Sequence, residues 1–308
     1  MSARPVRISR KELDEVKLSA LAAQSDFPYF MSLSYLDAVS PNWEALIIND
    51  YEAVLPIFPQ QKFGLSVSLQ PLFLRSVDVL GNKEFSSVLF TELKSIFTLI
   101  DLNFTAELKD KLGEIDAKSF VFQVIPLEEG YEGVRKNYSE NVRRKVKHFQ
   151  KQGGTIALHS EPEKLIQLFQ SEKANVYETM TDEAYNALIT LMQASLKNGK
   201  GKLFAAMMNG EMEAMAFFIF EETATLYLKG IANEAGRKSG ALQAIFDTAI
   251  QESCAMKKRF FDFGGSHQTG LSTFNRKFGA KDFQYFRIKQ VGLKGITGKM
   301  LGKIWKLK

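Results

Sequence analysis

A short stretch near the C-terminus combines residues that could move a proton with residues that let a substrate come close. Residues 261–280 read FDFGGSHQTGLSTFNRKFGA. Asp262, Ser266 and His267 could accept or relay a proton, and a histidine suits this task because its pKa lies near neutral pH. The alternative is structural, with Asp262 capping the following turn and the other two side chains solvated. The stretch is therefore a candidate site for proton transfer.

The paired glycines Gly264 and Gly265 lie between a strand-like run and a short helical pattern. Residues without side chains allow close approach of a substrate to the backbone and allow positive φ angles. Packing of the following FNRKF segment back onto a sheet would require the same residues. The pair is consistent with the wall of a substrate cleft, with a tight turn, or with both.

A second group of candidate residues follows a predicted strand at 223–231, on which Lys229 lies. The next residues, ANEAGRKSG (232–240), are predicted to form a loop that leads into a helix. Its last four residues are Arg237, Lys238, Ser239 and Gly240. Backbone N–H groups at the start of a helix, with cations nearby, bind phosphate groups. A solvated loop with charged side chains is the alternative.

A basic stripe marks the middle of the chain. Ser139 is a candidate N-cap, and the spacing predicts a helix over 140–152. Arg143, Lys147 and Lys151 recur on this helix at intervals of four residues. The stripe could contact phosphate groups, either those of a nucleic acid or the diphosphate of a lipid-linked or nucleotide-linked ligand. It could equally be a solvated helix face.

The elements around these groups form a repeated pattern. In the second half, a turn at Asn209-Gly210 between alternating apolar runs indicates a hairpin, and a further strand, a helix and a last strand follow. The predicted ranges are strands at 202–208, 211–220, 223–231 and 259–263, a helix at 241–254, and preceding helices near 161–177 and 181–198. The first half repeats the order more faintly, with strands at 44–48, 51–58, near 65–73 and 100–104 and a helix at 82–99. Such a repeat indicates a duplicated α/β unit.

Composition excludes several classes of protein. The chain of 308 residues has 45% hydrophobic and 24% charged residues, which is typical of globular proteins. One cysteine and three scattered histidines offer neither an intrachain disulfide nor a zinc-site spacing, so we expect no metal. Without a run of about 20 apolar residues or a signal-like N-terminus, we expect a cytoplasmic protein.

The positive charge belongs to the C-terminal end of the chain. Seven lysines and arginines and no acidic residue follow Asp282, and the rest of the chain has 33 basic and 35 acidic residues. The segment 293–308 also has apolar residues on one helical side, so it could lie on an anionic membrane surface. Its three glycines disfavour a helix, and a tail folded onto the body of the protein is the alternative.

Two motifs resemble those of the GNAT acyltransferase superfamily, in its FemABX-like branch. The branch has a helix of the pattern S-x-N-x-R-R-x-I/V-K and a closing signature D-F-x-G-s…G…F-K-x-x-F-G. The matching positions here are Ser139, Asn141, Arg143, Arg144, Val146 and Lys147, then Asp262, Phe263, Gly265, Gly270, Phe274, Phe278 and Gly279. The resemblance extends over about residues 25–290, with both motifs in the second half.

The resemblance implies an α/β (α+β) fold of two tandem GNAT-like domains. Each would have a mixed, mostly antiparallel sheet flanked by helices. The implied divisions are an N-terminal domain at 1–130, a basic linker helix at 131–154, a C-terminal domain at 155–290 and an amphipathic tail at 291–308.

The implied activity is transfer of an acyl or aminoacyl group to an amine by direct attack, without an acyl-enzyme. The donor would be acyl-CoA or an aminoacyl-tRNA, and the acceptor a small or lipid-linked amine such as a precursor of the bacterial cell envelope. Contact with the inner membrane face would run through the tail. The implied catalytic residues are Asp262, Ser266 and His267, the donor would contact Lys229, Arg237, Lys238, Ser239 and Gly240, and the acceptor would contact Gly264, Gly265, Asn275, Lys277, Arg143 and Lys147.

Two departures from the family pattern leave a non-catalytic binding or scaffold protein as the alternative. Asn275 stands where the closing signature commonly has lysine, and Leu242 stands where the phosphate-binding motif has a second small residue. The sequence does not decide between coenzyme A and tRNA as the carrier of the donor group.

Overall fold

The chain was analysed as a computed structural model, which describes residues 4–25, 28–172, 180–265 and 269–291. It divides into two compact units. The first comprises Met1–Phe120 and Gln284–Lys308, and the second comprises Val121–Phe283. The two boundaries fall inside strands β8 (Ala117–Pro126) and β14 (Lys281–Val291). The second unit is therefore an insertion, in chain order, into the first.

The first unit contains two groups of paired strands. Its elements are β1 (Val6–Ser9), α1 (Glu15–Ala22), α2 (Leu33–Val39), β2 (Glu44–Ile48), β3 (Ala53–Ile57), β4 (Pro59–Lys62), β5 (Leu65–Leu69), β6 (Leu80–Gly81), α3 (Ser86–Ile96), β7 (Leu99–Thr105) and α4 (Ala106–Lys111). An antiparallel sheet has the order β1-β2-β3-β6. In the other group, β4 is antiparallel to β5, β5 is parallel to β7, and β7 is antiparallel to residues 285–291 of β14.

The second unit is built on a mixed sheet in the order β8-β13-β12-β11-β10-β9. Its elements after β8 are α5 (Gly130–Lys136), α6 (Glu140–Lys151), β9 (Thr155–His159), α7 (Pro162–Ser171), α8 (Asp182–Lys197), β10 (Gly201–Met208), β11 (Glu211–Phe220), β12 (Ala224–Ala232), α9 (Glu234–Ser239), α10 (Ala241–Ala255), β13 (Phe260–Gly265) and α11 (Thr269–Arg276). All its strand pairs are antiparallel except β12 with β13.

The core of the second unit lies between this sheet and helices α5, α6 and α10. Phe246 of α10 is at its centre, and its ring lies 4.7 to 5.6 Å from the rings of Tyr227, Phe263 and Phe278. Even-numbered residues of β10 and β11, such as Phe204 and Phe218, belong to this core. Helices α7 and α8 contact the same strands. Helices cover both faces of this sheet. Because both faces are buried, the run 214–220 in β11 is almost uniformly apolar.

The elements mostly follow the predicted order, with local corrections. The hairpin at Asn209-Gly210 and helices α6, α8 and α10 are confirmed within one or two residues. The predicted loop 232–240 is wrong in part, because Glu234–Ser239 forms α9, capped by the Asn233 side chain. The predicted strand 51–58 is shorter, and a separate strand β4 follows it. Helix α3 begins at Ser86 rather than 82, and α7 ends at Ser171; residues 173–177 of that prediction lie outside the described residues.

The division into compact units differs from the predicted domain boundaries. The segment 131–154 was predicted as a linker, yet α5 and α6 bury Val134, Tyr138, Val142, Val146 and Phe149 in the core of the second unit. Burial of these side chains makes the segment part of that unit. Residues 284–290 group with the first unit rather than with the C-terminal domain. The tail at 292–308 lies outside the described residues.

Candidate functional site

Strands β12 and β13 pair over only part of their length. They are parallel at Ala224↔Phe260, Thr225↔Phe261 and Leu226↔Asp262, and the pairing stops there. β12 continues to Ala232 along β11, and the pairing of β13 with β8 is interrupted between Asp262 and Gly265. The parallel pairing thus ends at Leu226 and Asp262. Its open end is where a substrate could enter between two strands.

A β-bulge in β12 lies at the point where the pairing stops. Phe218 pairs with Tyr227 and Phe217 pairs with Lys229, so Leu228 is an extra residue in β12. A bulge leaves backbone groups without a ladder partner and turns the strand locally, and bulges are frequent beside active sites. Tyr227, Leu228, Lys229 and Gly230 are half-buried, whereas residues 224–226 are buried. Sequence analysis missed this bulge, because the run TATLYLKGI contains no local signal for it.

Asp262 braces the turn that follows it. The side chain is 0% exposed, and its Oδ1 accepts a hydrogen bond of 2.7 Å from the backbone N–H of Gly264. Gly264 has φ of +73°, and a Cβ there would lie 3.0 Å from the carbonyl oxygen of Tyr227. These contacts support the structural alternative for Asp262. They also explain Gly264, since close approach to β12 and a positive φ both require glycine.

The other two predicted proton-transfer residues, Ser266 and His267, lie outside the described residues. Gly265 immediately before them is exposed and ends β13. The predicted catalytic set is therefore located in the structure only through Asp262 and the glycine pair. Its catalytic role stays a prediction.

Asn275, predicted to contact the acceptor, is engaged in a buried network that attaches α11 to β8. It is 4% exposed, and its Nδ2 donates to Oε1 of Gln123 at 3.0 Å. The Gln123 Nε2 donates in turn to Ser272 Oγ at 3.0 Å and to Asp282 Oδ1 at 3.1 Å. The amide of Asn275 thus supports the fold. Sequence analysis missed Gln123, which is 152 residues away in the chain.

The charged residues at the end of α11 extend this network to the surface. Arg276 holds Asp282 with hydrogen bonds of 2.7 and 3.1 Å, and these bonds lower the pKa of Asp282. Lys277 has an exposed side chain, and its carbonyl oxygen accepts from the Ser139 N–H at 2.7 Å. The end of α11 therefore lies beside the start of the basic helix, which brings two predicted acceptor regions together.

Helix α6 presents the basic stripe to solvent. Its buried side consists of Val142, Val146 and Phe149, and Ser139 caps its start by accepting from the Val142 N–H. The exposed residues are Arg143, Arg144, Lys147, His148 and Lys151. Arg143 donates to the carbonyl of Tyr138 at 2.7 Å. Within the described ranges no carboxylate forms an ion pair with these side chains, so the face keeps its positive potential.

The predicted donor residues mostly contact other parts of the protein. Arg237 donates to Glu172 Oε2 at 3.0 Å and to the Ala232 carbonyl at 2.7 Å, and Ser239 donates to buried Glu213 at 2.5 Å. Lys238 pairs with Glu234 on its own helix. The Lys229 ammonium lies over the ring of Phe169, 5.5 Å from its centre. Binding of phosphate by these residues stays a prediction.

Helix α6 also packs against Gly240, the residue between α9 and α10. Gly240 has φ of +91°, and a Cβ there would lie 2.9 Å from the Lys145 carbonyl oxygen. The Lys145 ammonium donates to the carbonyls of Arg237 and Lys238. Gly240 is thus required by helix packing, and Lys145 of α6 donates to carbonyl groups of α9 beside this junction.

A cleft of about 590 Å³ lies beside this junction. It is lined by His148 and Gln152 of α6, Met208 and Asn209 of the hairpin, Glu213 of β11, and Ala235, Lys238 and Ser239 of α9. The structure therefore brings two predicted donor residues, Lys238 and Ser239, next to the end of the basic helix. Among the described residues no group of three histidine, cysteine or carboxylate side chains is placed to hold a metal ion.

A buried carboxyl group that sequence analysis missed lies within the helical layer. Asp247 of α10 accepts a hydrogen bond of 2.8 Å from the hydroxyl of Tyr131. Burial raises the pKa of Asp247, outweighing the opposite effect of this bond, and burial with the nearby carboxyl raises the pKa of Tyr131 as well. The pair joins α5 to α10 and lies in the core rather than at the opening between β12 and β13.

Comparisons with known proteins agree with this geometry. A family model described as an acetyltransferase (GNAT) domain matches residues 136–284. The structure of FemX has a TM-score of 0.68 at 11% identity, with 91% of this chain and 96% of that chain covered. A tandem GNAT protein from the clavulanic acid biosynthesis pathway gives 0.57 at 9% identity, covering 95% and 100%.

A third solved structure is the C-terminal domain of a putative lysylphosphatidylglycerol synthetase from Agrobacterium fabrum. It has a TM-score of 0.56 at 10% identity, with 93% of this chain and 94% of that chain covered. At such identities the likeness is one of fold. No curated protein matches the chain in sequence.

Proposed function

Because this chain carries a GNAT domain within a FemABX-like fold, we propose that it is an N-acyltransferase that joins an acyl or aminoacyl group to an amine. One observation carries the proposal: β12 and β13 are parallel up to Leu226 and Asp262 and then separate, with the Leu228 bulge at the point of separation. Because the two strands no longer pair beyond this point, a donor could insert between them.

The reaction requires that two substrates meet and that the amine loses a proton. The amine nitrogen attacks the carbonyl carbon of the donor, the oxygen becomes an anion, and the leaving sulfur or oxygen departs with the bonding electrons. The proton released by the amine passes to a base and then to the leaving group. Among the candidate residues, His267 or Ser266 would move this proton, while Asp262 holds the turn. Backbone N–H groups at the bulge would stabilise the oxyanion.

For the donor we consider acyl-CoA and aminoacyl-tRNA. Lys238 and the cleft beside α9 and α6 favour a phosphate-bearing donor near residues 229–242. Arg237 and Ser239 would have to leave Glu172 and Glu213 in order to bind a coenzyme A diphosphate. The residues present therefore fit coenzyme A only in part.

For the acceptor we propose an amine on an anionic carrier, such as a lipid-linked precursor of the cell envelope. The exposed basic face of α6 and the neighbouring Lys277 support an acceptor that carries phosphate groups. FemX and the lysylphosphatidylglycerol synthetase, whose folds are similar, give the proposal its cell-envelope context. The site of action would be the cytoplasmic face of the membrane.

A second candidate function is a binding or scaffold protein without activity. It is favoured by the contacts of Arg237 and Ser239 with Glu172 and Glu213, and by the burial of Asn275. In this alternative the fold has kept its opening between β12 and β13 but its phosphate-binding residues serve only the packing of α9.

The experiment that tests the function is calorimetric titration of the full chain with acetyl-CoA, a longer acyl-CoA and free coenzyme A. Micromolar binding, about 8 kcal/mol, would identify a coenzyme A donor and direct the search to amine acceptors. Lys238→Gln is the matched variant, because Lys238 lines the cleft and, among the described residues, its ammonium forms an ion pair with exposed Glu234 alone. Absence of binding by all three ligands would contradict the acyl-CoA donor and leave charged tRNA or the scaffold function.

A further inference from the structure

The hairpin of β4 and β5 in the first unit ends in an unusual turn. Lys62 pairs with Leu65, so the turn consists of two residues, Phe63 and Gly64. Their φ angles are +52° and +74°, the conformation of a type I′ turn. The Phe63 side chain is 99% exposed.

A second hairpin in the same chain has the same turn conformation with the residue types that usually occupy it. Met208 pairs with Glu211, and the two turn residues Asn209 and Gly210 have φ of +52° and +84°. Asparagine tolerates the left-handed region because its short polar side chain bonds locally, whereas a bulky residue there is a true outlier. Phe63 therefore occupies a position that costs stability, in a backbone conformation that Asn209 adopts without strain.

Nothing within the described part of the chain compensates that cost. At 99% exposure the Phe63 ring buries almost no area against the protein. Its neighbours along the hairpin, Gln60, Gln61, Lys62 and Gly64, are also exposed and are polar or lack a side chain. A protein partner is usually held by a cluster of apolar residues, whereas a lipid bilayer accepts a single aromatic ring at its interface.

The charges near the hairpin in sequence indicate which kind of lipid surface it would bind. No aspartate or glutamate occurs from residue 53 to residue 77, and Lys62 adjoins Phe63. Positive residues without acidic neighbours are attracted to anionic lipids and not to neutral ones.

We propose that the β4–β5 hairpin is a membrane-binding finger: Phe63 inserts between the headgroups of an anionic bilayer while Lys62 contacts their phosphates. The inference is independent of the acyl-transfer proposal, since it needs no substrate and no activity. It also differs from a role of the basic tail, because the finger supplies an apolar contact that electrostatic attraction alone lacks.

The test is co-sedimentation of the full chain with vesicles of phosphatidylcholine mixed with phosphatidylglycerol, and with vesicles of phosphatidylcholine alone. Binding is expected to the mixed vesicles. Phe63→Asn should weaken it by about tenfold, from the lost burial of one aromatic side chain, and should leave the thermal midpoint unchanged or higher. Phe63→Trp keeps an aromatic ring and should keep binding. Val16→Gln is the control, because Val16 of α1 is 81% exposed but lies outside the hairpin.

Three results would overturn the proposal. The first is equal vesicle binding by the parent chain and Phe63→Asn. The second is a lower thermal midpoint of Phe63→Asn, which would give the ring a role inside the protein. The third is a parent chain that self-associates in sedimentation while Phe63→Asn does not, with vesicle binding the same in both, which would make a second copy the partner of this hairpin.

Discussion

At the scale of single residues, Gly264 and Asp262 together hold the turn at the end of β13. The Asp262 carboxylate holds the Gly264 N–H, and the glycine passes within 3.0 Å, measured from its hypothetical Cβ, of the Tyr227 carbonyl oxygen. The turn that leads to Ser266 and His267 is thereby held against β12. Predicting a special role for the glycine pair from sequence was possible, because paired glycines are a local signal. Tyr227, whose carbonyl oxygen the glycine approaches, lies 37 positions away in the chain, so no local sequence signal predicted this contact.

Gly264 lies close to Tyr227 and has a positive φ angle. We therefore expect a larger residue at position 264 to lower stability by more than the strain of the positive φ angle alone. Gly264→Ala should lower the free energy of unfolding by about 2 kcal/mol, from the positive φ and from the contact with Tyr227. The control is Gly153→Ala, because Gly153 has φ of +81° and no atom within 4 Å of its hypothetical Cβ. It should cost about 1 kcal/mol. Equal losses in urea unfolding of the two variants would show that the approach to β12 is unimportant.

Asp247 predicts how stability changes with pH. Its pKa is raised in the folded protein, so the folded state binds more protons than the unfolded state above the ordinary value of 3.8. Stability therefore falls as pH rises through the folded pKa, and the stabilising contribution is fully present only below the unfolded pKa. Asp247→Asn, which cannot ionise, should lack this dependence.

The measurement is urea unfolding of the parent and of Asp247→Asn between neutral pH and about pH 4, the range set by the ordinary carboxyl pKa. Relative to the variant, the parent should gain about 1.4 kcal/mol as pH falls for each unit by which the Asp247 pKa is raised. A constant difference between the two chains would contradict a raised pKa. Glu132→Gln at an exposed position of α5 is the control and should leave the profile unchanged.

At the scale of elements, α11 depends on Gln123 of β8. Gln123→Leu should lower the free energy of unfolding by about 3 kcal/mol, because it leaves the buried amide of Asn275 and the hydroxyl of Ser272 without this partner. Adding Asn275→Leu should recover part of the loss, since removing both partners is less costly than removing one.

The control for this network is Gln150→Leu on the exposed side of α6, where a change within about 0.5 kcal/mol is expected. Urea unfolding of the full chain measures the four variants: Gln123→Leu, Asn275→Leu, the double variant and Gln150→Leu. If Gln123→Leu were as mild as Gln150→Leu, the network would not support α11. If the double variant lost the sum of the two single losses, the two side chains would act independently.

The elements that sequence predicted are those defined by local patterns. Asn209-Gly210 predicted its hairpin because the turn type demands those residues, and α6, α8 and α10 followed from caps and apolar spacing. Helix α9 was missed because its glycine and serine suggested a loop, and the Asn233 cap and the packing of Gly236 against β11 outweighed them. The Leu228 bulge was missed because it depends on the register of β11, which no single strand encodes.

At the scale of the whole molecule, the GNAT domain predicted from two motifs is confirmed over residues 136–284, and the fold class is confirmed by the similar folds of FemX and the tandem GNAT protein. The predicted site residues could not be tested in the same way, because motifs name positions without their contacts. Arg237, Ser239 and Asn275 illustrate the difference: each matched or neighboured a motif, yet each side chain bonds to the protein itself.

No helix in the described ranges is both long and apolar enough to cross a bilayer. The lipid contact proposed for Phe63 is a contact of a surface residue. The charge distribution matters more here than the total of +5, since the excess lies after Asp282. Sequence alone located that excess, whereas only the backbone angles distinguished Phe63 from the other exposed apolar residues.

The insertion of the second unit into the first has a consequence for how the protein is made. Strand β7 pairs over seven residues with 285–291 of β14, and Arg287 binds Asp101 across that pair at 2.5 Å. A ribosome that has released β7 must still synthesise about 180 residues before β14 emerges, so the second unit is complete first. Until then β7 keeps an open edge, and such edges recruit other strands. The synthesis of β14 therefore ends a period, beginning when β7 emerges, in which β7 is open to pairing with other strands.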